Sequence, residues 1–282
     1  MKTYLDCYPC FLRQALSAAR RADASEAQQR QILLNTMHEL SSMPEDATPL
    51  QMAHGIHRQV RQLTNNTDPY QQAKAIATQQ ALALYPKLKE CISRSIDPLE
   101  TAVRIAIAGN IIDLGVAESY DLEATLKRVL TDQFAINDLQ AFRNALKQNH
   151  SILYLADNAG ETVFDRVLIE TLNLPVTYAV KSGPAFDDAL VEDALKAGID
   201  QVAKVIETGT IFPGTYLPSC SPEFQQVFSS AQLVLAKGQA NYETLNDVDR
   251  DIFFLLKIKC EVVSSEIGIE LGKLALKYKE CN

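Results

Sequence analysis

No apolar run in the chain approaches the roughly 18 residues of a membrane-spanning helix. The opening "MKTYLDCYPCFLRQALSAARRAD" lacks the continuous apolar stretch of a secretory signal, because Asp6 and Arg13 interrupt it. These two absences predict a cytoplasmic protein with no membrane partner. Cysteine is too sparse for a disulfide scaffold: six in 282 residues are expected to remain thiols in a reducing compartment. Positive charge is also in short supply. A net charge of −8 argues against a nucleic-acid partner, whose phosphates would be repelled. No internal repeat and no low-complexity segment interrupts an otherwise globular composition, 47% hydrophobic and 22% charged. Nothing in the chain specifies an oligomeric state.

What is present divides into two grammars. In the first half, "CFLRQALSAARRA", "EAQQRQILLNTMHEL", "QMAHGIHRQVRQL" and "PYQQAKAIATQQALALYPKLKECISRS" carry apolar residues three and four apart, the helical period. Breaks fall at "SSMPEDATP", "TNNTDPY" and "SIDP". An almost wholly apolar helix then runs toward Gly109 and Gly115 and is followed by an amphipathic one. From about residue 150 short β-branched runs alternate with helical ones. The runs are 152–156, 176–180, 202–208, 233–237 and 252–258. That rhythm predicts an α/β fold: a Rossmann-like, mostly parallel sheet flanked by helices, with an all-helical N-terminal region. The expected division is residues 1–100 for the helical region and 101–282 for the α/β domain, with linking helices over 101–150.

Open parallel sheets bind ligands beyond the carboxyl ends of their strands. There the chain places Asp157, Asn158, Gly160 and Glu161; Lys181, Asp187 and Asp188; Thr208 and Gly209; Lys237 and Gly238; and Lys259 and Cys260. Asp157 and Asn158 offer hard oxygen ligands suited to Mg²⁺ or Mn²⁺, and an acid from the Asp187/Asp188 pair completes three. An Asp-Asn after a strand serves equally as a helix N-cap or Asx-turn, and spacing alone does not decide. Lys237 in "KGQAN" favours an anionic ligand, most simply a phosphate beside a divalent metal.

At these residues the chain resembles the metal-dependent damage-control phosphatases, first catalogued as domain of unknown function 89. The similarity runs through "CYPCFLRQAL", "DPYQQAK", "AIAGNIIDLG", "DNAGETVFD", "KSGPAFDDALVEDA", "KGQANYETL" and "LLKIKCEVVS", in that order. The paired N-terminal cysteines are similar to the prokaryotic-type branch. The resemblance implies hydrolysis of small phosphorylated metabolites such as sugar phosphates. It also implies one divalent ion (magnesium, manganese, cobalt or nickel) held by Asp157, Asn158 and Asp188. Asp187 stands where the family usually has asparagine, and Ala240 where a second glycine is common. Lys237 matches a phosphate-binding lysine, and Asp157 serves as ligand and either orients water or attacks. Gly160, Thr208, Gly209, Lys181 and Asn110 complete the expected phosphate environment, with Asp113 near Asn110 as a cleft wall. Glu161 and Asp165, four apart on a helix, are either supports of this site or surface acids.

Three other readings use the same residues differently. An S-adenosylmethionine-dependent carboxyl methyltransferase would occupy the same sheet edge, but no G-x-G-x-x-G follows a strand. An aspartyl-phosphate enzyme needs Asp-x-Asp, and "DNA" has alanine third. A non-catalytic metal or redox-binding protein would be built on Cys7 and Cys10, with Cys260 a candidate third thiol. The bland alternative packs those cysteines as small apolar residues. Three of the four histidines lie in helical stretches and form no ligand pattern, although His54 and His57 share a helix face.

Overall fold

The computed structural model describes residues 1–44, 46–109 and 130–281. Five helices come first: α1 (Cys7–Arg21), α2 (Glu26–Ser41), α3 (Pro49–Thr64), α4 (Gln71–Ser93) and α5 (Pro98–Ala108). Their starts are written locally. Ser25 with Gln28 and Thr48 with Gln51 form reciprocal capping boxes. Asp97 caps α5 by accepting from Glu100 N–H, with Pro98 at the first helical position.

The rest of the chain alternates. In order come β1 (Phe134–Asn137), α6 (Leu139–Gln148), β2 (Ile152–Leu155), α7 (Thr162–Leu172), β3 (Val176–Val180), α8 (Val191–Lys196) and β4 (Lys204–Glu207). Then follow α9 (Pro222–Ser230), β5 (Leu233–Lys237), α10 (Gly238–Leu245), β6 (Ile252–Lys257), α11 (Glu261–Ile267) and β7 (Leu274–Lys279). The seven strands form one sheet in the order β1-β7-β6-β5-β2-β3-β4. Every pairing is parallel except β6 with β7. The mostly parallel α/β fold expected from the sequence is therefore the observed one. Two strands escaped the sequence reading, β1 and β7. Both lie toward the reversed edge, where the half-exposed "FAIN" and the lysine-bearing "LALKYK" lack the apolar run of a strand buried on both faces.

Helices cover both sheet faces. Phe142 of α6, Val163 and Leu168 of α7, and the apolar side of α4 and α5 pack on one. Phe224 and Phe228 of α9 and Tyr242 and Leu245 of α10 pack on the other. Residues of α1, α2 and α3 enclose a separate core that includes Phe11, Ile32 and Ile56. Helix α11 joins the layers: Val263 belongs to the sheet core and its neighbour Val262 to the helical one. Among the described residues no helix is long and apolar enough to cross a membrane.

Chain order and strand order reverse at β2, which pairs with β3 on one side and β5 on the other. A parallel sheet opens a crevice at such a point, outside the carboxyl ends of the two strands. Leu155 is in register with Ala236, so the next residues of β2 and β5 bring Asp157 level with Gly238.

Candidate active site

Gly238 shows how tightly that meeting is built. Its φ is +79°, and a Cβ there would lie 1.8 Å from Asp157 Oδ2. Only glycine accepts both the left-handed backbone and the carboxylate. On the other side the loop after β2 is laced to the loop after β3. Ala189 N–H donates to Asp157 O, and Ala159 N–H donates to Asp187 O, both at 2.8 Å. Asn158 and Asp188 form an isolated bridge between the two loops. The neighbours Asp157 and Asn158 and the sequence-distant Asp188 are thus fixed on one short double-stranded ledge.

Beneath the ledge is a fully buried charge cluster. Lys237, 1% exposed, donates to Glu161 Oε2 at 2.7 Å and Asp165 Oδ1 at 2.8 Å. Asp165, 0% exposed, also accepts from Tyr154 and Tyr178, each at 2.7 Å. Glu161 accepts from Asn158 Nδ2 at 2.9 Å, which turns the Asn158 carbonyl oxygen away from Glu161. Asn241 locks the floor by donating to the backbone oxygens of Ala156 and Lys237. Lys181 Nζ bonds Gly214 O and stands 3.6 Å from Asp188 Oδ2, beyond hydrogen-bond reach. That Asp188 oxygen is buried with no hydrogen-bond partner among the described residues.

Four buried carboxylates (Asp157, Glu161, Asp165, Asp188) therefore face two buried ammonium groups (Lys181, Lys237). With all four ionised, the imbalance is formally two negative charges. Burial and the neighbouring Glu161 and Asp188 push the Asp157 carboxyl well above its usual range. Burial pushes Asp188 up to about 7, against the pull of Lys181. Both shifts mark sites that favour a neutralising partner. Among the described residues no group of three His, Cys, Asp or Glu side chains is arranged as a metal site. The ledge instead offers two carboxylates and one carboxamide. The Asp188 oxygen left without a hydrogen bond, the formal negative excess and the all-oxygen donor set fit a hard divalent cation.

The ledge opens into a cleft of about 820 Å³ between α1, α3 and the sheet edge, lined by Asp157, Asn158, Asp187 and Asp188 among others. Several sequence-nominated residues lie elsewhere. Lys237, Lys181 and Thr208 are buried and do not line it. Gly209 N–H is taken by Ser182 Oγ at 2.7 Å. At Gly160 a Cβ would stand 2.9 Å from Ala77 Cβ, so its small size serves the approach of α4. Asn110 and Asp113 lie outside the described residues. Cys7, Cys10 and Cys260 line the cleft as free thiols, and burial raises the Cys7 pKa.

Tyr154 and Tyr178 were not singled out in the sequence. Their one signal was a hydroxyl in the middle of each of two apolar runs, "ILYLA" and "VTYAV", at paired register positions. Glu161 and Asp165 do not face solvent: both are buried and clasp Lys237.

An open α/β sheet with an acid-rich ledge at its switch point defines the class of protein, one that handles a small ligand outside the strand ends. Residues 3–275 match the damage-control phosphatase ARMT1-like domain, and the chain belongs to that family. It is 35% identical to damage-control phosphatase PH1575 of Pyrococcus horikoshii, covering 97% of both chains. It is 37% identical to the uncharacterized protein MJ0202 of Methanocaldococcus jannaschii, over 95% of this chain and 92% of that one. The crystal structure of a DUF89 family protein from P. horikoshii superposes with a TM-score of 0.89 at 34% identity, over 98% of each chain.

The cluster makes Asp165 the hub of the buried network. Asp165→Ala would strand two tyrosine hydroxyls and weaken the neutralisation of Lys237. The expected loss is about 3–5 kcal/mol of stability in urea unfolding; a loss below about 1 kcal/mol would contradict the role given to the hub.

Proposed function

We propose that the chain is a divalent-metal-dependent phosphomonoester hydrolase acting on small phosphorylated metabolites of the sugar-phosphate kind. The observation that carries this reading is the buried formal excess of two negative charges opening onto a cleft, in a family whose relatives include proteins named damage-control phosphatases.

Asp157, Asn158 and Asp188 would hold the metal on the ledge, with Asp188 Oδ2 and the Asn158 carbonyl as donors. When bound, a magnesium, manganese, cobalt or nickel ion supplies Lewis acidity toward a nonbridging phosphate oxygen. Asp157, fixed against Gly238, accepts a hydrogen bond from the attacking water and orients it in line with the scissile bond. Lys259 and Arg13, both exposed on the cleft, meet the phosphate charge on its approach. Lys237 spends two of its three N–H donors on Glu161 and Asp165. Its charge stabilises the ledge from below and reaches the phosphate electrostatically.

Phosphate release from a panel including ribose 5-phosphate and glucose 6-phosphate, measured with and without Mn²⁺, tests the reading. Asp157→Ala and Asp188→Ala are each expected to lower turnover by roughly a hundredfold or more while the circular dichroism spectrum is kept. Full activity in either variant would reject the ligand assignment.

The pKa directions supply a second test. Asp157 and Asp188 have raised folded-state values, so below about pH 7 protons compete with the cation for the same oxygens. Stabilisation by Mn²⁺ in thermal melting is expected to be larger at about pH 8 than at about pH 5.5. The Asp188→Asn variant should lose most of that difference; equal stabilisation at both pH values would contradict the site.

A further inference from the structure

One wall of the cleft is built unlike the rest. Phe186, two residues before Asp188, has a φ of +53°, a left-handed backbone that bulky side chains adopt under strain. The reversal is closed by Asp188 N–H donating to Ala185 O at 3.0 Å. The Phe186 ring is held by His57 of α3, with centroids 3.7 Å apart. The imidazole also meets Tyr70, with ring centroids 5.6 Å apart. All three residues line the cleft. His57 is 4% exposed, and its Nε2 is buried with no hydrogen-bond partner among the described residues. A buried polar nitrogen without a hydrogen bond is destabilising and calls for a partner that the described residues do not supply. Burial, reinforced by Arg61 and His54, lowers the imidazole pKa to about 3, so the ring is neutral at physiological pH.

The geometry points to His57 and Phe186 as the subsite for the non-phosphate body of the substrate. The Phe186 face packs on a carbohydrate ring, and His57 Nε2 exchanges a hydrogen bond with one of its hydroxyls. This rests on the reading of the cleft as a sugar-phosphate site. The chemistry selects the ligand group. A neutral imidazole nitrogen is a donor in one tautomer and an acceptor in the other, and a hydroxyl satisfies either. A phosphate oxygen only accepts and is better served by the cations and metal ligands across the cleft. A strained aromatic residue next to Asp188 keeps the carbohydrate wall and the metal ledge on one rigid turn.

Calorimetric titration of ribose 5-phosphate and of inorganic phosphate, with Mn²⁺ present, separates this role from a structural one. His57→Phe keeps an aromatic ring and removes Nε2. It is expected to weaken ribose 5-phosphate roughly three- to tenfold and to leave the affinity for inorganic phosphate within about twofold. His57→Gln, which restores a neutral hydrogen-bonding group, is expected to recover most of the loss. His57→Met carries the test if the phenylalanine variant does not fold. Equal weakening of both ligands, no weakening of ribose 5-phosphate, or a wild type that binds ribose 5-phosphate no better than phosphate would each overturn the proposal. Hydroxyl-dependent binding without turnover of any sugar phosphate would leave the subsite standing and remove the phosphatase reading.

Discussion

Burying an ammonium group is costly unless carboxylates surround it closely, and burying carboxylates is costly unless cations do the same. The floor of this crevice satisfies both conditions locally and leaves a remainder. Lys237 is clasped by Glu161 and Asp165, Asp165 is satisfied twice more by tyrosines, and Lys181 stands near Asp188. The residual negative charge is pushed upward, onto Asp157 and Asp188 at the crevice mouth. The rest of the architecture follows from holding that remainder in place. Gly238 lets β5 turn directly under Asp157, and two backbone hydrogen bonds tie the loops after β2 and β3 into one ledge.

The helical region is more than a cover. Helices α1 and α3 supply one wall of the cleft, and α11 belongs to both cores through adjacent valines. The ring contact between His57 of α3 and Phe186, two residues before Asp188, joins the helical region to the loop that carries the ledge. The cleft is walled by sheet loops on one side and by α1 and α3 on the other.

How much of this was legible in the sequence depended on where each signal resides. Strands β2, β3 and β5 are buried on both faces, so they read as unbroken apolar runs and were found within a residue or two. Strands β1 and β7 were not found: β1 is a half-exposed edge strand, and β7, inside the sheet, loses its apolar pattern over its lysine-bearing second half. Asp157, Asn158 and the Asp187/Asp188 pair could be nominated from their place after strands, a topological rule that needs no coordinates; the choice of Asp188 within the pair came from the family resemblance. The face chosen by Glu161 and Asp165 could not. Helix α7 is buried nearly all round, so i,i+4 spacing states that two acids meet but not whether they meet a lysine or water. Lys237 was legible as a strand-end cation. That both its visible hydrogen bonds go inward depended on partners from another βα unit. His57 was noted only as sharing a helix face with His54, since its contact is with a phenylalanine far along the chain.

The central claim is that the charge remainder at the crevice mouth is a binding site for one hard divalent ion. Anomalous diffraction from crystals soaked in Mn²⁺ reads this most directly. The account expects a single strong peak about 2.0–2.3 Å from oxygens of Asp157, Asn158 and Asp188. A ledge without a peak, or a peak only at the cysteine sulfurs of the cleft, would contradict it.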